Sequence, residues 1–272
     1  MNSYTTLDIL KSAAVLDIAG SEDDERLLML LESVSRQVDF YCNRHFFAQR
    51  AKMVFDVDGS AALRLPDLVS VDPNGLAADE DGDRIFESVW DESDYLLNPA
   101  NADPTGGHDL SSPYTGIVVD MESGAKHRFP AGMRRVRIVG EWGYWRRTRG
   151  ASETVSSALD ADANEMAVSG GEDISAGHTL LVGSEQVYVL SRTGNKLGVL
   201  RGVNGTEPTE HGAAAEISVF QYPGPVSEAV IIQASRLWKR KDSAFADNSG
   251  FAVGLDRDAM ELLAPYRKII AL

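Results

Sequence analysis

The sequence predicts an α+β protein in which a small bundle of long helices with β-hairpins carries an inserted all-β module. Apolar residues recur at helical spacing over residues 21–43 and again over residues 224–241, which predicts the two long helices. Between them, residues 154–223 contain short β-type segments with glycine-bearing turns and no helical pattern. Because helical sequence resumes afterwards, we expect residues 154–223 to interrupt a domain formed by residues 1–153 and 224–272.

The first long helix is predicted from apolar side chains spaced three and four residues apart. Ser21 is a favourable N-cap, and the acidic residues that follow it suit the positive end of the helix dipole. Asn43 can end the helix, with Phe46 and Phe47 packing back on its last turn. One side of the bundle core is therefore expected to consist of Leu27, Leu31, Val34, Val38 and Tyr41.

The second long helix begins at Gly224 and Pro225, because proline suits the first helical turn. Shorter helices are predicted over residues 5–16 and 256–263, the latter stopped by Pro265. The apolar stripe of the second long helix is the natural partner of the first and includes Val230, Ala234, Leu237 and Trp238.

Alternating apolar residues predict the strands of the remaining chain. Residues 53–57 and 63–65, joined by a glycine turn, predict a β-hairpin. The acidic turn that begins at Asp79 also predicts a hairpin, because an EF-hand loop would need glycine and glutamate where Arg84 and Trp90 stand. The strands predicted for the inserted module are 166–168, 179–182, 186–190, 196–200 and 216–220.

The charge and composition exclude several classes of protein. A formal net charge of -15 over 272 residues argues against a general binder of nucleic-acid phosphates. A local basic patch, residues 126–149, can instead face an acidic partner or DNA, or form a solvated strand face. No apolar run approaches the roughly 18 residues of a membrane span, and the N-terminus lacks a secretory signal, so we expect synthesis in a cytoplasm without membrane insertion.

The sequence contains no recognisable catalytic or metal-binding pattern. Its five histidines are dispersed, without a His-x-x-x-His or His-Glu-x-x-His pair. A single cysteine, Cys42, excludes an internal disulfide, and no nucleophile elbow or phosphate-binding glycine loop occurs. We therefore expect no enzymatic activity, no metal and no cofactor.

The order of six segments resembles the head–tail connector, or head-completion adaptor, family of tailed bacteriophages. These segments cover most of residues 20–150 and 223–270 and read VDFYCNRHF, LPDLVSV, DEDGDRIFE with DYLLNP, VRIVGEWGYW, PVSEAVIIQASRLWKRKDSAF and DRDAMELLAPYRKI. The resemblance implies a virion structural protein that forms a ring, commonly a dodecamer, beneath the portal protein. Such a ring completes the head after packaging, extends the DNA channel and offers a surface to tail, neck or stopper proteins.

The resemblance also implies locations and contacts. The protein would be in the host cytoplasm during assembly and in the virion neck, at the head–tail interface, afterwards, with packaged DNA passing without sequence-specific binding. C-terminal segments in the family tend to reach the portal, which implies portal docking by Leu262, Leu263, Tyr266, Arg267, Ile269, Ile270 and Leu272. The inserted module departs from the short members of the family and is expected to decorate the outside of the ring.

Two other interpretations remain open. The protein can be a tail-completion or neck protein whose β module binds a partner or a host glycan, which would require exposed aromatic residues on that module. Tyr188, Phe220 and Tyr222 are its only large aromatic residues. Alternatively, the helices can carry a small-molecule-binding or enzymatic domain, for which no nucleophile–base pair or metal cluster is present in the sequence.

Overall fold

The protein is mostly β in the computed structural model, which describes residues 1–106, 112–240 and 254–268. Its strands form two antiparallel sheets of six strands each. The α-helices of the described residues have lengths of 5, 19, 16 and 7 residues. The predicted bundle of long helices with β-hairpins is therefore wrong as a fold class. Helical periodicity is a local signal that a short window of sequence contains. The sheets instead pair strands that lie far apart in sequence, and no short window indicates that pairing.

The chain divides into two compact units. The terminal unit consists of Met1–His45 and Thr148–Leu272, and the central unit consists of Phe46–Arg147. The terminal unit is thus built from both ends of the chain, while the central unit is one continuous segment. The domain boundaries predicted at residues 153–154 and 223–224 stay a prediction.

The described residues of the terminal unit form four α-helices: α1 (Leu7–Lys11), α2 (Asp24–Cys42), α3 (Gly224–Lys239) and α4 (Arg257–Leu263). None of those in the described residues is long and apolar enough to cross a membrane.

Short polar residues set the helix ends. The N-cap of α2 is Asp23 and not the predicted Ser21, whereas Asn43 ends this helix in the left-handed conformation, as predicted. The helix predicted over residues 5–16 is shorter in the structure, where α1 covers Leu7–Lys11 and Ser12 is its C-cap. At the start of α4, the Asp256 side chain accepts a hydrogen bond from a backbone N–H of the first turn.

The first residues of the chain are buried in the terminal unit. Asn2 and Ser3 are each 1% exposed. The side-chain oxygen of Asn2 accepts hydrogen bonds from Thr179 Oγ1 and Asn204 Nδ2, both at 2.9 Å. On the helical side, Ser227 Oγ donates to the Tyr4 carbonyl at 2.7 Å. The N-terminal segment therefore joins the sheet and α3 of its own unit.

The sheet of the terminal unit contains β7 (Arg147–Thr154), β8 (Glu165–Ala167), β9 (Thr179–Val182), β10 (Glu185–Thr193), β11 (Lys196–Leu200) and β12 (Glu216–Gln221). Their order in the sheet is β7-β12-β9-β10-β11-β8. The five strands predicted here are confirmed, with small shifts of their ends. Strand β7 was not predicted, because its sequence, RTRGASET, has no apolar alternation. The core of this sheet includes Leu180, Val187, Leu197 and Ile217, each no more than 2% exposed.

The sheet of the central unit contains β1 (Gln49–Val57), β2 (Ala62–Ala78), β3 (Ser88–Val89), β4 (Tyr95–Asn98), β5 (Tyr114–Val119) and β6 (Gly132–Trp142). Their order is β1-β6-β2-β5-β4, with β3 paired to β2.

The hairpin predicted between β1 and β2 is wrong, because β6 lies between these strands. Met53 of β1 and Leu76 of β2 both pair with Ile138 of β6. The short turn between β1 and β2 therefore joins strands that are not neighbours, and the sheet depends on pairing over a long sequence separation. The hairpin predicted at the acidic turn is confirmed, since β2 and β3 pair antiparallel there.

Aromatic side chains fill the core of the central unit. The rings of Trp90 and Phe129 stack with centroids 4.8 Å apart and an interplanar angle of 6°. The ring centroids of Trp142 and Phe55 lie 5.8 Å apart. The indole N–H of Trp142 donates to the Ala51 carbonyl at 3.0 Å. Such rings bury large areas and prefer offset stacking or tilted contacts, so they define the interior of this sheet.

Candidate interaction surface

The terminal unit contains a groove of about 910 Å³ between α2 and α3, which we call the α2–α3 groove. It combines apolar surface with three guanidinium groups. Side chains that line it include Arg36, Phe40, Tyr41, Leu237, Arg240 and Arg267. Phe40 is 86% exposed, the highest value among the exposed large apolar residues of the described chain. An exposed aromatic ring beside several arginines is typical of a protein-binding surface.

The last described residues are fastened to one end of this groove. The backbone N–H of Lys268 donates to the Cys42 carbonyl at 2.8 Å, and Asn43 Nδ2 donates to the Lys268 carbonyl at 3.1 Å. The guanidinium of Arg267 lies 4.8 Å from the centroid of the Tyr41 ring, a cation–π contact. The C-terminal segment therefore leaves α4 along the C-terminal end of α2.

The charge of the groove favours a partner that carries carboxylates. Arg36 has a local counter-charge, because its Nε lies 2.9 Å from Asp39 Oδ2 on the next turn of α2. Arg240 and Arg267 also line the groove and add positive charge to it. Guanidinium groups bind carboxylates in a bidentate geometry and also stack on aromatic rings, so the groove suits an acidic surface with an apolar side chain at its centre.

The residues predicted for the helix-bundle core fall into two groups. The side chains that are fully buried are Leu27, Leu31, Val34, Val38, Val230 and Ala234, and Trp238 is 7% exposed. Tyr41 and Leu237 are only half-buried, and both line the α2–α3 groove. Helical periodicity thus placed these two residues on the correct helix face, but it did not indicate that their side chains are only half-buried.

The residues predicted for portal docking are also placed differently from one another. Leu263 is fully buried in its own unit, and Leu262 and Tyr266 are half-buried. Arg267 is exposed and lines the groove. Ile269, Ile270 and Leu272 lie outside the described residues. Of the docking set, Arg267 is therefore the residue that the structure brings beside Phe40 and Tyr41.

Several basic residues of the patch over residues 126–149 have local partners. Arg135 contacts Asp79 at 3.3 Å, and Arg146 contacts Glu141 at 3.0 Å. Arg137 lies over the ring of Phe86, 5.3 Å from its centroid. These contacts favour the interpretation of the patch as a strand face with local partners rather than a DNA-binding surface.

The acidic turn brings four carboxyl groups together. Ligand atoms of Asp79, Asp81, Asp83 and Glu87 lie within 4.8 Å of one another. Asp79 is buried and accepts hydrogen bonds from the backbone N–H groups of Gly82 and Arg84, at 2.6 and 3.0 Å. Burial raises the pKa of Asp79, but these N–H groups and Arg135 outweigh it and hold the pKa below its ordinary value. The carboxyl groups thus have a structural explanation, because they accept the hydrogen bonds that shape the β2–β3 turn.

A buried carboxylate that sequence reasoning missed lies in the terminal sheet. Glu185 is fully buried, and its oxygens accept hydrogen bonds from Arg201 Nε and Nη2, each at 2.7 Å. The backbone N–H groups of Gly202 and Thr209 donate at 2.9 and 3.1 Å, and His211 Nε2 lies 2.8 Å away. Burial raises the pKa of Glu185, but the hydrogen bonds outweigh it and keep the pKa below its ordinary value. Because both oxygens are saturated by the protein, Glu185 fastens the 201–211 loop and leaves no acceptor for a substrate.

A second buried carboxylate, Glu153, acts in the same way in β7. Arg192 Nη1 donates to Glu153 Oε1 at 2.9 Å, and Arg192 Nη2 donates to Oε2 at 3.2 Å. The backbone N–H groups of Asp173 and Ile174 also donate to Oε1. The sequence signal for Glu185 was an acidic residue beside an apolar strand, and Glu153 lies in a strand without apolar alternation. Neither pattern identifies the arginine partner.

The described histidines form no cluster with one another. Burial lowers the pKa of His178 to about 4, so this side chain is neutral near pH 7 and accepts a hydrogen bond from the Ser175 N–H at 3.0 Å. His211 contacts Glu185, as described above. His108 lies outside the described residues.

No family model, curated protein or solved structure matches this chain. The α2–α3 groove is therefore interpreted from its own geometry and from the segments quoted above.

Proposed function

We propose that the protein is a structural virion component, a head–tail connector that forms a ring under the portal protein. In this role it completes the head after DNA packaging, extends the DNA channel and provides the surface to which tail, neck or stopper proteins attach. The proposal is supported by the six segments that resemble the connector family and by the α2–α3 groove. It involves no catalytic step, metal or cofactor.

The observation that carries the proposal is the attachment of the C-terminal segment beside Phe40. Arg267 stacks on Tyr41, and Lys268 is hydrogen-bonded to the end of α2. A docking segment that leaves from this point begins next to an apolar side chain that is 86% exposed. The groove and the segment can therefore contact the same partner surface.

The occupant that we propose for the groove is an acidic and apolar surface of the portal protein. Phe40 supplies the apolar anchor, while Arg240 and Arg267 supply guanidinium groups for carboxylates at the rim. Each such contact need only be weak, because a ring engages a symmetric portal at many equivalent positions and gains affinity through multivalency.

The overall charge suits the proposed channel. A net charge of -15 reduces adhesion of DNA that slides through the ring, since DNA and protein repel each other. The proposed location is the virion neck, after assembly in the host cytoplasm.

The alternative of a neck protein with a glycan-binding β module has less support. Tyr188 is fully buried and Phe220 is 5% exposed. Tyr222 is half-buried. Glycan recognition through this module would need accessible aromatic faces. These three side chains offer little accessible ring surface.

Electron microscopy of lysates from a phage that lacks this gene tests the proposal. We expect DNA-filled or leaking heads separate from normal free tails. Joined virions at the wild-type frequency would overturn the connector function.

Complementation with groove variants tests the docking surface. Phe40→Ser and Arg267→Glu are expected to leave heads and tails separate and to abolish retention on purified portal protein. Met29→Ser is the matched control, because Met29 is another exposed apolar residue of α2, at 63%, and does not line the groove. Equal portal binding by all three variants would contradict docking through the α2–α3 groove.

A further inference from the structure

We propose that the free edge of β1 pairs with β1 of a second copy of this chain, antiparallel and about a two-fold axis through Val54. This dimerisation surface lies in the central unit and goes beyond the proposed function, which uses the α2–α3 groove of the terminal unit. Neighbours in a ring are related by rotation about the ring axis and not by a two-fold axis, so the β1 pair is a state of the free protein before ring assembly.

Strand β1 is an edge strand that is long enough to template pairing. It contains nine residues, Gln49–Val57, stands at the end of the strand order and, among the described strands, pairs with β6 alone. An edge strand presents a row of N–H and C=O groups that another strand can use. The opposite edge is formed by β4, which has only four residues, Tyr95–Asn98.

The inward side chains of β1 are incompletely covered. Ala51, Met53, Phe55 and Val57 pack against the core of the central unit but remain half-buried. On the neighbouring strand β6, the inward residues Val136 and Ile138 are fully buried. One more strand beside β1 would give its apolar side chains the cover that those of β6 already have, which is a favourable burial of apolar area.

The outward side chains of β1 are complementary to their own copy. Antiparallel pairing centred on Val54 places Val54 opposite the partner's Val54, and it places Lys52 opposite the partner's Asp56 on both sides of the axis. Val54 is 41% exposed, so the axis joins two exposed apolar side chains. On the inward side, Met53 meets the partner's Phe55, an apolar pair.

The charged groups are available for this pairing. Lys52 forms no ion pair within the part of the chain that the structure describes. Asp56 is exposed and accepts a hydrogen bond from the Arg134 N–H at 2.7 Å through Oδ1, which leaves Oδ2 for a lysine.

Neighbouring registers are less favourable. Centring the axis on Lys52 would oppose two lysines, and like charges directly opposite each other destabilise a strand pair. Centring it on Met53 would place Lys52 against the partner's Val54 and leave the lysine without a carboxylate opposite. The alternation of charge and apolar residues in β1 therefore selects Val54 as the centre.

Covalent trapping tests both the dimer and its register. Residues directly opposite across an antiparallel pair lie close enough for a disulfide, so V54C is expected to give a covalent dimer under mild oxidation. The native Cys42 is fully buried, and the wild type gives the background level of disulfide-linked dimer. L96C is the matched control on the other edge strand, where Leu96 is 57% exposed. Equal trapping of L96C, or stronger trapping of K52C than of V54C, would overturn the proposal.

Sedimentation of the full chain over a range of concentrations gives an independent measurement. The wild type is expected to associate reversibly to a dimer, and Val54→Asp to raise the dissociation constant about tenfold or more, since it sets like charges on the axis. Leu96→Asp is expected to leave the constant unchanged. A wild type that stays monomeric, or a dimer that tolerates Val54→Asp, would overturn the proposal. Should Val54→Asp fail to fold, Lys52→Asp, which opposes the partner's Asp56, provides the same measurement.

Discussion

The two sheets have the same number of strands and stabilise their interiors in different ways. In the terminal sheet, the fully buried carboxylates Glu153 and Glu185 each accept hydrogen bonds from an arginine and from backbone N–H groups of loops. In the central unit one such carboxylate, Asp79, lies at the β2–β3 turn, and the interior of the sheet is lined by aromatic rings such as the stacked pair Trp90 and Phe129.

This difference follows the lengths of the strands. The central sheet includes strands of nine, seventeen and eleven residues, whose alternating side chains provide enough apolar surface for a core. The terminal sheet has shorter strands joined by irregular loops, whose backbone N–H groups need acceptors inside the protein. A buried carboxylate with an arginine partner supplies these acceptors, but it makes the fold depend on the charge of that carboxylate.

The largest effect is expected from removing an aromatic ring of the central sheet. Trp90→Ala leaves a cavity beside Phe129 and should lower the free energy of unfolding by about 4 kcal/mol. Urea denaturation followed by tryptophan fluorescence measures this, because Trp142 and Trp145 remain in the central unit. Met133→Ala, at a side chain that is 78% exposed, should change stability by less than about 0.5 kcal/mol. Similar losses for both variants would contradict an aromatic core.

Removing the buried carboxylate should have the next largest effect. Glu185→Ala leaves Arg201 and the N–H groups of the 201–211 loop without their acceptor, and the free energy of unfolding should fall by about 3 kcal/mol. Hydrogen exchange measured by mass spectrometry should show the largest loss of protection in peptides from this loop. An unchanged exchange pattern would show that Glu185 does not fasten the loop.

The stability of the terminal sheet should depend on pH through Glu185. The native pKa of Glu185 is below its ordinary value, so the unfolded chain takes up the proton first as the pH falls. The stabilisation by Glu185 is therefore complete above the ordinary carboxyl range and is lost as the pH falls through the native pKa. The stability difference between wild type and Glu185→Gln, from hydrogen exchange of the terminal unit, should stay constant from pH 7 to about pH 5 and shrink as the pH falls further. A difference that stays constant throughout would contradict this linkage.

The smallest effect is expected from an ion pair at the surface of the same terminal sheet. Lys196 Nζ lies 2.7 Å from Glu165 Oε1, but the two side chains are 64% and 56% exposed. Glu165→Ala should therefore change the free energy of unfolding by less than about 0.5 kcal/mol, measured by chemical denaturation. A loss as large as that of Glu185→Ala would show that ion pairing, and not burial of the carboxylate, makes the difference between these positions.

Sequence reasoning recovered features that short segments encode. Asn43 at the end of α2 and the strands β8 to β12 follow from side-chain size, polarity and turn residues within a few positions. The N-cap of α2 is Asp23, two residues after the predicted Ser21. Each of these features depends on neighbouring residues, so the errors in the predicted ends of the elements are small.

The errors in fold class arise from contacts that no segment encodes. The pairing of Met53 with Ile138 separates β1 from β2, and a short glycine turn between two alternating segments gives no sign of a third strand between them. The Glu185–Arg201 pair was missed because strand periodicity treats an inward carboxylate as a break in the pattern. At the groove, the apolar face that contains Tyr41 and Leu237 was predicted, but helical spacing does not indicate that these two side chains are only half-buried.

The division of the chain has a consequence for the order of events at the ribosome. The central unit is complete as a chain at Arg147, whereas the terminal unit lacks its last strand until Gln221 and α3 until Lys239. Asn2, which bonds to Thr179 and Asn204, therefore emerges long before its partners are synthesised. Since domains generally fold as units during synthesis, the central unit can fold first, while residues 1–45 remain without their sheet until most of the protein has been translated.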